Sequence, residues 1–129
     1  MTVTYLDASA ALKLIVEEQE SAALADALTA DPGRRLVASW LLHTELHCAA
    51  GRHPDDLDAA TVKEVLDTVR LMDLTRGDMI AAGTLAPLRS NDALHLAVAI
   101  RLGVDEIATY DRELATAATR AGLSVLAPS

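Results

Sequence analysis

The sequence predicts one α/β domain in which a central parallel sheet of about five strands lies between helices. Three observations carry this. Short β-rich segments alternate with helical ones through brief connections, the pattern of a parallel sheet covered on both faces. Apolar residues make up 51% of the chain, and most of them are Ala, Leu and Val. Such a composition packs as helices against something flat or against other helices. The length of 129 residues fits one domain and buries a core without staples.

The elements follow in order. Thr2 to Leu6 alternates and is β-rich, so a strand ends near Asp7. Ala8 to Val16 reads as a helix, and Glu17 to Thr29 as a second one after a break near Glu18. Asp31-Pro32-Gly33 is a turn. Arg35 to Ala38 is a short strand, and Ser39 caps a helix running to about Ala50, where Gly51 stops it. His53-Pro54 opens another helix to about Val69, with Pro54 at a tolerated early position. Leu71 to Leu74 is a third strand. Thr75 caps a helix to about Ala86, which Pro87 ends. Ser90 caps an apolar helix to Leu102, closed by Gly103. Glu106 to Thr109 is a fourth strand, Asp111 opens a helix to Ala121 closed by Gly122, and Leu123 to Leu126 is the last strand. No repeat, linker or low-complexity tract interrupts residues 1–129, which read as a single domain.

Composition excludes several classes. One cysteine, Cys48, rules out an internal disulfide and any Cys-rich zinc or iron–sulfur site, and suits a reducing cytoplasm. Residues Met1 to Tyr5 lack the pattern of a signal peptide, and no apolar run is long enough for a membrane helix. The net charge of −8 argues against a generic nucleic-acid binder. It is compatible with a metal site built of carboxylates, because a bound cation inverts the local sign. It also suits a basic partner, or simply solubility.

Four acids stand out by position. Asp7 and Asp111 each follow a predicted strand and precede a helix. Ligands of open parallel sheets gather outside the carboxyl ends of the strands. Each is equally explained as a helix N-cap, worth about 1 kcal/mol. Glu45 shares a helix face with Leu41, Leu42, Cys48 and Ala49, an apolar stripe expected to be buried. Asp92 has Leu96 and Ala99 on its face. A buried carboxylate is costly unless paired, shifted in pKa or bound to a metal. A salt bridge is the plain alternative for Glu45, and a first-turn acid favoured by the helix dipole is the one for Asp92. The sequence leaves convergence of the four open. Were they to converge, their repulsion would call for a hard divalent cation such as Mg²⁺, and the chemistry implied is phosphodiester hydrolysis.

Other residues carry weaker signals. His43 and His47 have a spacing that can hold zinc. The intervening Glu45 faces away, since two residues turn a helix by roughly 200°. A boundary pair is the simpler reading. His95 lies at helical spacing from Asp92 and reads either as a neighbour of the site or as a satisfied core residue. Isolated glycines (Gly77, Gly83, Gly103) form no phosphate loop, and Tyr5, Trp40 and Tyr110 are too few for a base-stacking platform.

The acids sit in recognisable segments. Tyr5-Leu6-Asp7-Ala8-Ser9-Ala10 resembles the opening of PIN-domain ribonucleases, particularly VapC toxins of toxin–antitoxin pairs. Thr44-Glu45-Leu46 resembles their second acidic motif. The run from Leu88 to Ala97, with Asn91-Asp92 at its centre, resembles the third, and Thr109-Tyr110-Asp111-Arg112-Glu113-Leu114 the last. Each segment is weak alone; the ordered set spans nearly the whole chain and is specific.

The resemblance implies a three-layer α/β/α PIN-like domain. It implies that Asp7, Glu45, Asp92 and Asp111 form the catalytic and metal-binding set for one or two Mg²⁺ or Mn²⁺ ions. Ser9 and Thr109 match hydroxyl positions that support the site. Asn91 stands where an apolar residue is common and is expected to tune local packing. Arg89 and Arg112 flank the late motifs and are candidates for RNA phosphate contacts, with solvated surface charge as the alternative. The implied activity is metal-assisted hydrolysis of structured RNA, often tRNA or rRNA, by a cytoplasmic toxin. A VapB-like antitoxin and a homodimer are the implied partners, with no membrane association. Two other readings compete: a PIN-type nuclease in RNA maturation or acting on DNA, and a non-enzymatic Mg²⁺-binding signalling domain. The latter needs neither Glu45 nor Asp92 on helices, and no switch lysine lies near the last strand.

Overall fold

The computed structural model describes residues 1–129. Five strands, β1 (Val3–Leu6), β2 (Arg35–Ser39), β3 (Arg70–Met72), β4 (Glu106–Ala108) and β5 (Ser124–Leu126), form one sheet in the order β3-β2-β1-β4-β5. Every pairing is parallel, with Tyr5 opposite Val37 on one side and Ile107 on the other. The helices are α1 (Ala8–Ile15), α2 (Ser21–Thr29), α3 (Trp40–Arg52), α4 (Ala59–Asp67), α5 (Arg76–Ala82), α6 (Ser90–Leu102) and α7 (Arg112–Arg120). Helices α1 to α4 pack together, and α6 packs between α5 and α7, so the sheet lies between two helical layers.

The strand order fixes where a site can form. From β1 the chain winds outward to β2 and β3, then returns past β1 to β4 and β5. Connections leaving β1 and β4 therefore diverge, and a crevice opens between their carboxyl ends. Asp7 is the first residue beyond β1, and Thr109 the first beyond β4. A large concavity lies elsewhere: a cleft of about 650 Å³ reaches the starts of β1 and β2 and is lined by Arg34, Arg35 and Arg70.

The core is aliphatic. Leu6, Leu42, Leu46, Leu96, Val98, Ile107 and Leu114 are fully buried. Each Leu or Ile contributes about 1.5–3 kcal/mol of hydrophobic stabilisation. Small residues let α6 lie deep: Ala93, Ala97 and Ala99 are buried alongside Leu96 and Val98. Two polar ties close the periphery. Arg34 pairs with Glu106 and donates to Thr4 Oγ1 at 2.7 Å. Arg101 holds Asp78 through both carboxylate oxygens, at 2.7 and 3.0 Å. No helix is long and apolar enough to cross a membrane.

Several boundaries differ from the sequence expectation, each for a local reason. Helix α2 begins at Ser21 rather than Glu17, because the Ser21 hydroxyl accepts the Glu18 N–H and donates to the Val16 carbonyl, building a turn. Gly51 does not stop α3; the helix runs to Arg52 and ends at His53, which precedes Pro54 and is barred from helical geometry. Pro54 opens a turn, and α4 starts only after Asp58, whose carboxylate accepts the Ala60 N–H. Helix α5 ends at Ala82, well short of Ala86. Ser90 is the first residue of α6, and Arg89 holds the cap position without a side-chain bond. Gly103 and Gly122 do end their helices, with φ of 64° and 88° that other residues rarely adopt.

Candidate active site

Asp7 is the best-anchored of the acids. It caps α1, its Oδ1 accepting the Ala10 N–H at 2.9 Å. The Ser9 hydroxyl donates to Oδ1 at 2.8 Å, and the Thr109 hydroxyl donates to Oδ2 at 2.6 Å. Both hydroxyls then accept backbone donors from the β4–α7 connection. Ser9 Oγ takes the Tyr110 N–H at 2.9 Å, and Thr109 Oγ1 takes the Asp111 N–H at 3.1 Å. The ends of β1 and β4 are thus joined through side chains. Only 2% of Asp7 is exposed.

Asp111 caps α7, with one oxygen accepting the Leu114 N–H at 2.9 Å. That leaves the other carboxylate oxygen for a ligand. Asp92 lies in the first turn of α6 and is half-buried. Glu45 borders the buried stripe of α3 instead of sitting within it. Leu42, Leu46 and Ala49 are buried, whereas Cys48 is exposed. The Glu45 carboxylate pairs with His95 of α6 through Oε1, and Asn91 Nδ2 approaches Oε2 at 3.5 Å. Asn91 is therefore turned toward Glu45 rather than into packing.

The electrostatics tie the acids together. The Asp92 carboxyl is held above its ordinary range, first by burial, then by the negative charges of Asp111 and Asp7, with Glu45 adding to them and His95 opposing. Asp92 thus feels the other three acids. The Asp7 carboxyl is also pushed up, chiefly by burial, against the hydrogen bonds from Thr109, Ala10 and Ser9. None of the four is paired with Lys or Arg. This is a concentration of hard oxygen donors lacking a cationic side chain. Such a set fits Mg²⁺ or Mn²⁺, which take oxygen ligands and keep several waters. As the side chains stand, no three His, Cys, Asp or Glu residues are close enough together to hold a metal ion.

The remaining candidates fall into place around it. Arg89 and Arg112 are exposed and form no ion pair. Arg112 and Arg120 line a groove of about 500 Å³ between the α5–α6 connection and α7, starting beside Asp111. His43 and His47 pack in a tilted pair with ring centroids 4.4 Å apart, and Trp40 packs at a tilt against His43 at 5.2 Å, so these rings form a row on α3. Sequence reasoning passed over Tyr5. Its hydroxyl lies 2.7 Å from His95 Nδ1 and accepts the Ser39 N–H at 3.0 Å. The available signal was a tyrosine in a central parallel strand, whose hydroxyl needs buried partners.

Comparison with known proteins gives the family and the fold. Residues 4–119 match the model of the PIN domain. Ribonuclease VapC46 of Mycobacterium tuberculosis is 38% identical over 133 residues, covering 100% of both chains. Among solved structures, a toxin–antitoxin complex from Klebsiella pneumoniae superposes with a TM-score of 0.70 at 18% identity, covering 98% of each chain. VapBC2 from Rickettsia felis, bound to a DNA fragment from its promoter, also gives 0.70, at 15% identity over 99% of this chain and 100% of that one.

Proposed function

The chain belongs to the PIN-domain family, alongside the VapC ribonucleases, and from that premise we propose that it is the toxin of a type II toxin–antitoxin pair whose four acids hydrolyse RNA with Mg²⁺. The endoribonuclease activity follows from the family. The observation supporting the site is shared charge: the Asp92 carboxyl, raised first by burial, is raised further by Asp111, Asp7 and Glu45.

Asp7, Glu45, Asp92 and Asp111 would hold the cation. When bound, Mg²⁺ supplies activated water and stabilises charge on the scissile phosphate, with Mn²⁺ able to substitute. The chain's own residues do the rest. Ser9 and Thr109 orient Asp7. Arg112, at the mouth of the groove beside Asp111, and Arg89 contact RNA phosphates as point charges. With three aromatic residues in the chain, recognition rests on RNA shape and the scissile phosphate rather than base stacking. A structured RNA such as tRNA or rRNA is the substrate class. The partners we propose are a VapB-like antitoxin and a second copy of the chain, in the cytoplasm. Exposed Met79 and Ile80 on α5 offer apolar surface for such contacts.

The test is direct. Purified protein should cleave RNA with Mg²⁺, and Asp7→Asn should not; undiminished cleavage by D7N overturns the site. Expression without an antitoxin should arrest growth. Normal growth combined with intact nuclease activity would favour a role in RNA maturation instead.

A further inference from the structure

We propose that Tyr5 and His95 form a positioning relay that orients the Glu45 carboxylate for metal binding. This rests on the reading of Glu45 as a ligand. It begins from a buried chain of hydrogen bonds linking three elements. Ser39, at the N-cap of α3, donates its backbone N–H to the Tyr5 hydroxyl at 3.0 Å. Tyr5 Oη lies 2.7 Å from His95 Nδ1, and His95 Nε2 meets Glu45 Oε1. Tyr5 and His95 are 0% and 1% exposed.

The donor order follows from counting protons. The Ser39 amide only donates, so the Tyr5 oxygen accepts from it. The order that satisfies both rings gives the Tyr5 proton to His95 Nδ1, the ring atom facing it. Nδ1 carries no hydrogen in that arrangement, and the ring proton sits on Nε2, where it donates to Glu45. The relay therefore orients the ring and points its Nε2 N–H at one carboxylate oxygen.

The consequence is local to Glu45. A glutamate at a site edge ordinarily loses about 1.5–2 kcal/mol of rotamer freedom when fixed. Here Oε1 is pinned by His95 before any ligand arrives, leaving Oε2 for the cluster. The same hydroxyl that orients the ring holds the start of α3, the helix that carries Glu45. His95 lies one turn beyond Asp92 on α6, so the relay also fixes the spacing of the two acids. A satisfied core histidine explains its burial. It does not explain why the chain of donors ends on a carboxylate of the site, since apolar side chains would fill this space at lower cost.

The test uses the full chain and Mn²⁺ alone as the binding probe. In metal-free protein, nitrogen-15 NMR should show His95 with its proton on Nε2; a proton on Nδ1 overturns the relay. His95→Leu should weaken both Mn²⁺ affinity and RNA cleavage roughly 10- to 100-fold, the range for lost outer-shell partners of metal ligands. His95→Gln, whose amide reaches the Nε2 position, should restore most of each. In a Glu45→Ala background, H95L should leave Mn²⁺ affinity unchanged. Equal losses in both backgrounds, or no rescue by Gln, would reduce His95 to a packing residue. Should H95L fail to fold, Tyr5→Phe carries the test: it should lose the single-tautomer spectrum and weaken Mn²⁺ binding, and unchanged behaviour overturns the proposal. If E45A itself binds Mn²⁺ and cleaves normally, Glu45 is no ligand; the NMR result then still reports the tautomer separately.

Discussion

The Thr109 hydroxyl donates to Asp7 Oδ2 at 2.6 Å, so the two strands flanking the switch point of the sheet share one buried hydrogen-bond network. Thr109 Oγ1 in turn accepts the Asp111 N–H, which places a second acid one bond further along. Thr109→Val keeps the shape and removes the donor. Hydrogen bonds to charged groups are worth about 1.5–3 kcal/mol, and urea unfolding of the variant should show a loss of that order. Cleavage should fall with it. Thr109→Ser, which keeps the hydroxyl, should recover both.

The raised Asp92 carboxyl makes the site costly to the metal-free fold. A carboxyl whose folded pKa exceeds its unfolded value of about 3.9 binds more protons when folded. Its stabilising effect is full below that value and is lost as pH rises through the folded pKa. Asp92→Asn removes the titration and a repelling charge. Metal-free D92N should therefore melt higher than wild type at pH 7, with the gap closing on acidification. Added Mg²⁺ should raise the wild-type Tm and barely move that of D92N, because only a binding-competent native state gains from ligand.

Asp78 behaves in the opposite sense. The Arg101 guanidinium holds its carboxyl below the ordinary range, with the Thr75 amide and hydroxyl assisting against burial. Stability from this pair is present above the unfolded value and is lost as pH falls through the depressed one. Arg101→Met leaves Asp78 buried without its partner. Arg101 is 39% exposed, so the cost is less than for a fully buried pair, about 2 kcal/mol. Chemical denaturation at pH 7 should show it. The variant should also lose the acid-dependent part of its stability curve while still cleaving RNA at 25 °C.

Arg89 and Arg112 test the path of the RNA. Each is exposed and free of an ion pair. Replacing either by Ala should weaken RNA binding and make it less salt-dependent, lowering the slope of log affinity against log salt by about 0.7 per lost phosphate contact on a single strand. A binding isotherm repeated across salt concentrations reads this. An unchanged slope in both variants would place the RNA elsewhere.

Much of this architecture was legible because the signals were local and redundant. Parallel strands alternated with helices, Asp7, Ser39, Thr75 and Asp111 capped helices where expected, and Gly103 and Gly122 ended helices where left-handed backbone is needed. Boundaries slipped where a side chain outcompeted propensity. The Ser21 hydroxyl delayed α2, and Pro54 shaped a turn where it was expected to begin a helix. At the site, positions of the four acids could be read from segment order. The partners could not. The link from Tyr5 to His95 joins residues 90 apart, and the pairing of Glu45 with His95 joins residues 50 apart. Those contacts depend on how α3 and α6 meet over the edge of the sheet, which no local pattern encodes.

The central claim is that Asp7 and its neighbouring acids hydrolyse RNA with a divalent cation. Sequencing the ends of RNA cut by the purified protein, with Mg²⁺ and with chelator, tests it most directly, using D7N and D92N as controls. Water attack at phosphorus leaves a 5′-phosphate or a 5′-hydroxyl on a linear fragment, never a cyclic end. The expected result is linear ends, cleavage only with the cation, and none by either variant. Cleavage that persists in chelator, survives both substitutions and leaves 2′,3′-cyclic phosphates would contradict it.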